Sequence, residues 1–193
     1  MTPEGTILVL WVAWLLSWVV AALWSNRTEK RAGIVADIAF RILFWASATL
    51  LLAPFSDLHY VQVQFWHLNA ALKWILVALT ATGFLFVWWA RIHLGRLWSD
   101  WLTKKAGHRV VDTGPYRLVR HPIYSGLIFT AFATAIEKGT SFALFGAVIL
   151  TFAFYTKARR EERFLRVELG EGAYDAYARE TAMLVPFKGR RPN

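Results

Sequence analysis

Residues 5–26, GTILVLWVAWLLSWVVAALWSN, contain no charged side chain. As a helix rising 1.5 Å per residue, a run of this length covers the ~30 Å hydrocarbon core of a bilayer. A backbone in lipid has no water to pair with, so such a run spans as a helix. Four more apolar runs follow, at about 34–54, 70–90, 121–136 and 139–156. The expected fold is therefore an all-α integral membrane protein with about five transmembrane helices. The fourth run would rise only roughly 24 Å, so it is expected to tilt, extend beyond the run or be sheltered by protein. Only Glu137 and Lys138 separate it from the fifth, which makes the pair an antiparallel helical hairpin. The first run is longer than a secretory h-region and has no basic segment before it, so it reads as a retained span.

Charge sets the orientation. The chain carries 22 Lys and Arg against 13 Asp and Glu. Arg27, Lys30 and Arg31 follow the first run, and further basic residues recur from Arg91 to Arg120 after the third. Short basic segments stay cytoplasmic, so the N-terminus is expected outside and the C-terminus in the cytoplasm. Basic residues placed between apolar runs favour a membrane partner and no nucleic acid, which meets a basic stripe on a soluble module. Hydrophobic residues make up 56% of the chain, and its 11 Trp and 14 Phe fit interfacial aromatic belts. The absence of cysteine removes disulfides, Cys-ligated metal and thiol nucleophiles. His59 and His67 read as interfacial histidines, not metal ligands. Asp37 and Arg41 share a helix face at a shallow depth and read as an ion pair that snorkels to the interface.

A polar seam, GHRVVDTGPYRLVRHPIYSG, occupies residues 107–126. Desolvated polar groups are costly, so those kept beside membrane spans are expected to be used. Pro122 suits a first helical turn and places Arg120 and His121 at a helix start, where backbone donors favour an anion. The plainer reading makes them interface anchors and caps. Tyr116 and Tyr124 would line a cation-accepting pocket or serve as ordinary core aromatics. Beyond the fifth run, KARREERFLRVELG reads as a mixed-charge helix that stops at Gly170, and a short helix over about 172–180 presents Tyr174 and Tyr177 on one side. Glu161 and Glu162 lie at the depth of the seam and would attract a cationic ligand. On a solvated helix they would pair with Lys157 and Arg166 instead.

Together, LGRLWS, the seam with its RHP-x-Y element, the Glu-Glu pair and LGEGAYDAYARET resemble the isoprenylcysteine carboxyl methyltransferase family and its phospholipid N-methyltransferase relatives. The resemblance covers residues 94–187. It implies S-adenosylmethionine as cofactor, bound without a Rossmann domain. It also divides the single membrane domain, 1–193, into three N-terminal spans (1–93) and a methyltransferase-like core (94–187). Carried over by position, the cofactor site comprises His108, Arg109, Val110, Val111, Tyr116, His121, Pro122, Ile123, Tyr124 and Glu161, with Glu162 beside it. Eukaryotic members place a substrate-facing arginine four residues before the glutamate, where this chain has Lys157, and a glutamine where this chain has Trp101. Lysine keeps the charge but lacks the bidentate fork for a carboxylate.

A sulfonium methyl donor is already activated, so the protein must chiefly position the reactants and exclude water, with no metal required. A carboxylate acceptor would be positioned by Lys157 or Arg120. An amine would also have to lose a proton, with His121 or Glu162 as base. The expected reaction is methyl transfer to a lipophilic small molecule or lipid at the cytoplasmic face, in a pocket that opens sideways to the bilayer. Carboxyl O-methylation of a prenylcysteine-like substrate is what the resemblance implies; a phospholipid amine or a small thiol is the alternative acceptor. Two further readings stand beside it: an NADPH-dependent enzyme similar to membrane steroid reductases, and a non-enzymatic membrane scaffold.

Overall fold

The structure, a computed structural model, describes residues 1–23, 28–31, 34–53, 62–95, 103–105, 111–169 and 171–186. Its elements in chain order are α1 (Pro3–Ala22), β1 (Thr28–Arg31), α2 (Ile34–Leu52), α3 (Ala70–Leu94), β2 (Thr103–Lys105), a 3₁₀ turn (Gly114–Arg117), α4 (Pro122–Lys138), α5 (Ser141–Leu169) and α6 (Glu171–Glu180). The helix starts carry local signals. Thr2 Oγ1 accepts the Gly5 N–H at 3.2 Å ahead of α1, and Asn69 Oδ1 accepts the Leu72 N–H at 2.9 Å ahead of α3.

Helix α4 lies between α3 and α5, while α1 packs on α3 and α2 on α5. Among the described residues, four helices are long and apolar enough to cross a membrane: Pro3–Ala22, Val35–Leu52, Ala70–Leu94 and Ser141–Val167. Their outward faces carry exposed apolar side chains such as Leu16, Ile42, Leu85 and Phe152, as a lipid-facing surface does. The chain is a multi-pass membrane protein of all-α class. Helix α4, at 17 residues, is the short fourth run, and of its expected accommodations the structure adopts shelter. Leu127, Thr130, Ala131, Ala133, Thr134 and Ala135 are all buried.

Small residues allow that burial. A Cβ on Gly83 of α3 would stand 2.1 Å from Thr130 Oγ1, and one on Gly126 of α4 would stand 2.6 Å from Val87 Cγ2. Backbones this close gain van der Waals contact where the bilayer offers no hydrophobic driving force between helices.

Three expectations are corrected. Glu137 and Lys138 are not the hairpin turn; they form the last turn of α4, which ends at Gly139 in the left-handed region (φ 65°). Glu137 is buried 3.4 Å from Lys73 Nζ, which also pairs with Glu4, and Lys138 Nζ donates to the carbonyls of Leu51 and Ala53 at 3.1 and 3.2 Å. The charges thus join α1, α2, α3 and α4 at one end of the bundle. Secondly, the tryptophans are not confined to belts. Trp11 and Trp14 are buried against Phe84, and Trp11 Nε1 donates to Thr134 Oγ1 at 3.0 Å deep between α1 and α4. Thirdly, Asp37 does not snorkel. It is buried with Arg160 Nη1 of α5 at 3.7 Å, because its face of α2 is the one packed on α5.

At the opposite end Arg91, fully buried, donates to Ala21 O at 2.7 Å and Gly95 O at 2.6 Å, fastening α3 to the end of α1. The antiparallel ribbon β1–β2 pairs Thr28 with Lys105 and Arg31 with Thr103, an element that no sequence pattern announced. His59 and Gly170 lie outside the described residues; His67 is exposed.

Candidate active site

Six described residues from the seam and from α5 converge at the end of the bundle that Arg91 fastens. The seam enters through the 3₁₀ turn and Val119, whose backbone bridges in parallel to Ala182. Residues 181–186 run beside the seam as a strap. Ala182 O accepts the Arg120 N–H at 2.8 Å, Met183 O accepts the His121 N–H at 3.2 Å, and Leu184 O accepts the Ser125 hydroxyl at 2.6 Å. The backbone donors of Arg120 and His121, expected to favour an anion, are taken by this strap. His121 is the N-cap of α4, with Pro122 as its first residue.

The N-cap position aims the imidazole at α5. His121 Nδ1 lies 3.5 Å from Glu161 Oε2, and Nε2 lies 3.3 Å from Glu162 Oε1, a charge contact without hydrogen-bond alignment. Glu162 Oε1 also accepts Arg120 Nε at 2.7 Å, and the same guanidinium donates to the carbonyls of Ala178 (3.0 Å) and Thr181. Tyr124 donates its hydroxyl to Glu161. Its ring stacks on His121 at 5.4 Å and on Phe154 at 4.7 Å. Glu162 is almost fully buried, whereas the Glu161 side chain keeps 22% of its surface. Glu161 is the carboxylate a ligand would meet.

Burial alone would lower the His121 pKa, but the Glu161 and Glu162 carboxylates beside the ring outweigh it and hold the imidazole above its ordinary value. His121 is thus kept cationic between the two carboxylates. The Tyr116, Tyr174 and Tyr177 phenols are pushed up by burial and stay neutral.

Lys157, one turn before Glu161, is buried with its Nζ 4.4 Å from the Phe40 ring centre and 5.8 Å from that of Tyr124. Glu162 does not take the solvated-helix pairing with Arg166, which instead meets Asp175 of α6 at 2.7 Å.

Of the residues expected to hold a cofactor, the structure gathers His121, Tyr124, Glu161 and Glu162, with Arg120 and Lys157 at the edges. Tyr116 sits deeper, stacked on His93 at 6.3 Å, with its carbonyl accepting the Tyr177 hydroxyl at 2.6 Å. Pro122 and Ile123 are buried in the core, and Val111 packs against it. His108, Arg109, Val110 and Trp101 lie outside the described residues. The sequence reading missed Phe40, Phe154 and the strap. Phe154 was findable, standing three residues before Lys157 and seven before Glu161 on one helical stripe; residues 181–186 carry no such signal.

Comparison with known proteins agrees with the resemblance read from the sequence. The model of the isoprenylcysteine carboxyl methyltransferase family matches residues 74–167. A nickel-cobalt-cadmium resistance protein of Alcaligenes xylosoxydans xylosoxydans is 30% identical over 115 residues, which is 58% of this chain and 52% of that protein. A probable protein-S-isoprenylcysteine O-methyltransferase of Oryza sativa subsp. indica is 32% identical over 81 residues, 42% of each chain. A methanethiol S-methyltransferase of Pseudomonas sp. (strain GM41(2012)) is 39% identical over 75 residues, 39% of this chain and 28% of that one. The aligned stretches thus span about half of these relatives or less.

Proposed function

We propose that the site binds S-adenosylmethionine and directs its methyl group to an anionic head group of a lipophilic acceptor. The observation that carries this reading is the convergence of His121 and Tyr124 on Glu161, beside a buried Lys157. The donor set fits the cofactor: a partly exposed carboxylate flanked by stacked rings suits a ligand bearing amino and sulfonium charges. When bound, S-adenosylmethionine supplies an electrophilic methyl on a sulfonium.

The chain's own residues do the rest. Glu161 binds the cationic end of the cofactor, held in aim by the Tyr124 hydroxyl and the His121 imidazolium. Tyr124 and Phe154 exclude water from one side. Lys157 orients a carboxylate, an acceptor already ionised at neutral pH that needs no base, or a thiolate once the thiol has given its proton to water. Arg120, expected as a second candidate to position substrate, is instead engaged with Glu162 and the tail carbonyls, so its part is to hold the seam against α5 and α6. In this reading residues 94–187 carry the site, the three N-terminal spans support it, and the site end faces the cytoplasm with the N-terminus outside.

The test is ligand-induced stabilisation of the purified protein in detergent, followed by methyl transfer from labelled cofactor to a membrane extract with the product identified by mass spectrometry. A melting shift with S-adenosylmethionine and none with NADPH is expected. A shift with NADPH alone would put the protein with the reductases.

A further inference from the structure

Two charged side chains beside the site have no part in the reading above, Asp37 of α2 and Arg160 of α5. Asp37 is 3% exposed, and its Oδ1 lies 3.7 Å from Arg160 Nη1. Helices α2 and α5 run antiparallel here, so their contacts step together. Phe40 meets Lys157, and three positions earlier on α2 and three later on α5, one turn nearer the site end, Asp37 meets Arg160. A carboxylate buried in a membrane span is costly and marks a function. The Asp37–Arg160 contact is too long for a hydrogen bond, and a buried ion pair of that kind stabilises little. Arg160 keeps 20% of its side-chain surface, and among the described residues its guanidinium makes no hydrogen bond. Its five N–H donors are open to a ligand.

The winding of α5 puts Arg160 where a ligand at Lys157 would meet it. At 100° per residue, Arg160 lies about 60° to one side of Lys157 and Glu161 about 40° to the other, both one turn nearer the site end. The contacts agree. Glu161 turns to Tyr124 and His121 at the start of α4, whereas Arg160 turns to Asp37 of α2. The site thus carries a carboxylate on its α4 side and two cations, Lys157 and Arg160, towards α2.

We infer that Arg160 is a second contact for the anionic head of the methyl acceptor and that Asp37 is the residue that positions it, an inference that rests on the methyltransferase reading of the adjoining site. Lys157 supplies a point charge. Arg160 supplies the planar fork that lysine lacks, which takes two oxygens of a carboxylate or phosphate at once. Head groups with several oxygens are thereby favoured over a lone sulfur nucleophile. Asp37 holds the guanidinium against α2 before the ligand arrives, so less side-chain freedom is lost on binding.

The test uses the full chain in phosphatidylcholine nanodiscs at mildly alkaline pH, titrated in a calorimeter with dodecanoate, dodecyl phosphate, dodecanethiol and neutral methyl dodecanoate, with empty nanodiscs subtracted. At least one of the two anions should bind roughly tenfold tighter than the ester and the thiol, and the tighter anion identifies the head group. Arg160→Gln should weaken that anion roughly tenfold, leave the ester and S-adenosylmethionine affinities unchanged, and be only partly rescued by Arg160→Lys. Asp37→Asn should weaken the anion by about threefold or more and add nothing in the Arg160→Gln background, as a residue acting through another does. The Arg160 variants decide the matter even where Asp37→Asn fails to fold. Lowered stability with unchanged anion affinity in those variants would make the pair a staple between α2 and α5. An ester bound as tightly as both anions would overturn the head-group contact. Absence of a melting shift with S-adenosylmethionine in the unaltered protein would sink the methyltransferase reading, while the anion affinities judge Arg160 separately.

Discussion

Arg120 Nε sits 2.7 Å from Glu162 Oε1 across 42 positions of sequence, with both side chains largely withdrawn from solvent. The same guanidinium reaches two carbonyls of the tail, so one side chain joins seam, α5 and strap. Arg120→Ala would take from buried Glu162 its closest cation and leave only His121 at 3.3 Å, and breaking such a pair costs up to about 3–5 kcal/mol. Chemical unfolding in detergent should show that loss, with Arg120→Lys recovering less than half, because an ammonium cannot bridge a carboxylate and two carbonyls in the planar fork. Full recovery by lysine would mean that charge alone matters there.

Glu161→Gln should spare the fold and cost cofactor affinity. The amide oxygen still accepts from Tyr124, but the charge is gone, and a hydrogen bond to a charged group is worth roughly 1.5–3 kcal/mol. Isothermal calorimetry should register at least a tenfold weaker Kd for S-adenosylmethionine, with the helical fold retained by circular dichroism. Unaltered affinity would remove Glu161 from the cofactor site.

Lys157→Met keeps an unbranched apolar stem against Phe40 and Tyr124 while deleting the charge. Turnover of an anionic acceptor should fall on the order of tenfold or more through KM, as expected of a lost charge-assisted contact, and Lys157→Arg should restore most of it. A variant with lowered stability and an unchanged KM would make Lys157 a packing residue only.

The His121 pKa is raised in the folded protein by Glu161 and Glu162 against the opposing effect of burial. A raised folded-state value means the stabilisation from this group is fully present below the unfolded imidazole value of about 6.5 and is lost as pH rises through the folded value. Melting temperature should accordingly decline between near-neutral and alkaline pH, and His121→Asn should flatten that part of the profile. A wild-type profile rising over the same window would contradict the imidazolium.

Gly83→Val tests the α3–α4 approach. With Thr130 Oγ1 only 2.1 Å from the site of the new Cβ, the helices must separate, and overpacking of this kind costs typically 1–3 kcal/mol. Thr130→Ala in the same chain should relieve part of the loss.

The helices were legible because apolar runs and breaker residues are local. Apolar runs marked α1 to α4 to within a few residues, and Pro122 marked the start of α4, whereas α5 continues unbroken through the charged stretch to Leu169 that read as a helix beyond the fifth run. The RHP-x-Y element was legible as a candidate site because an apolar run follows it directly, and the glutamate pair because it follows the fifth run at the same depth as the seam. Hidden from that reading were the partners. Lys138 looked like a turn residue until the end of α2 arrived beside it, and Asp37 looked like a snorkelling group until α5 covered it.

The amino-acid order by itself determined that the chain crosses a membrane as helices, that α4 and α5 form a hairpin, and that Arg120, His121, Glu161 and Glu162 sit near one end of the bundle. Only the tertiary structure decided that His121 is held between two carboxylates, that Phe40 and Phe154 enclose Lys157 and Tyr124, and that residues 181–186 occupy the backbone donors at the start of α4. The reason is that hydropathy along the chain fixes where each helix begins and ends relative to the bilayer. Which faces meet is settled by close packing at Gly83 and Gly126, and by buried charges that find partners only when distant segments arrive together.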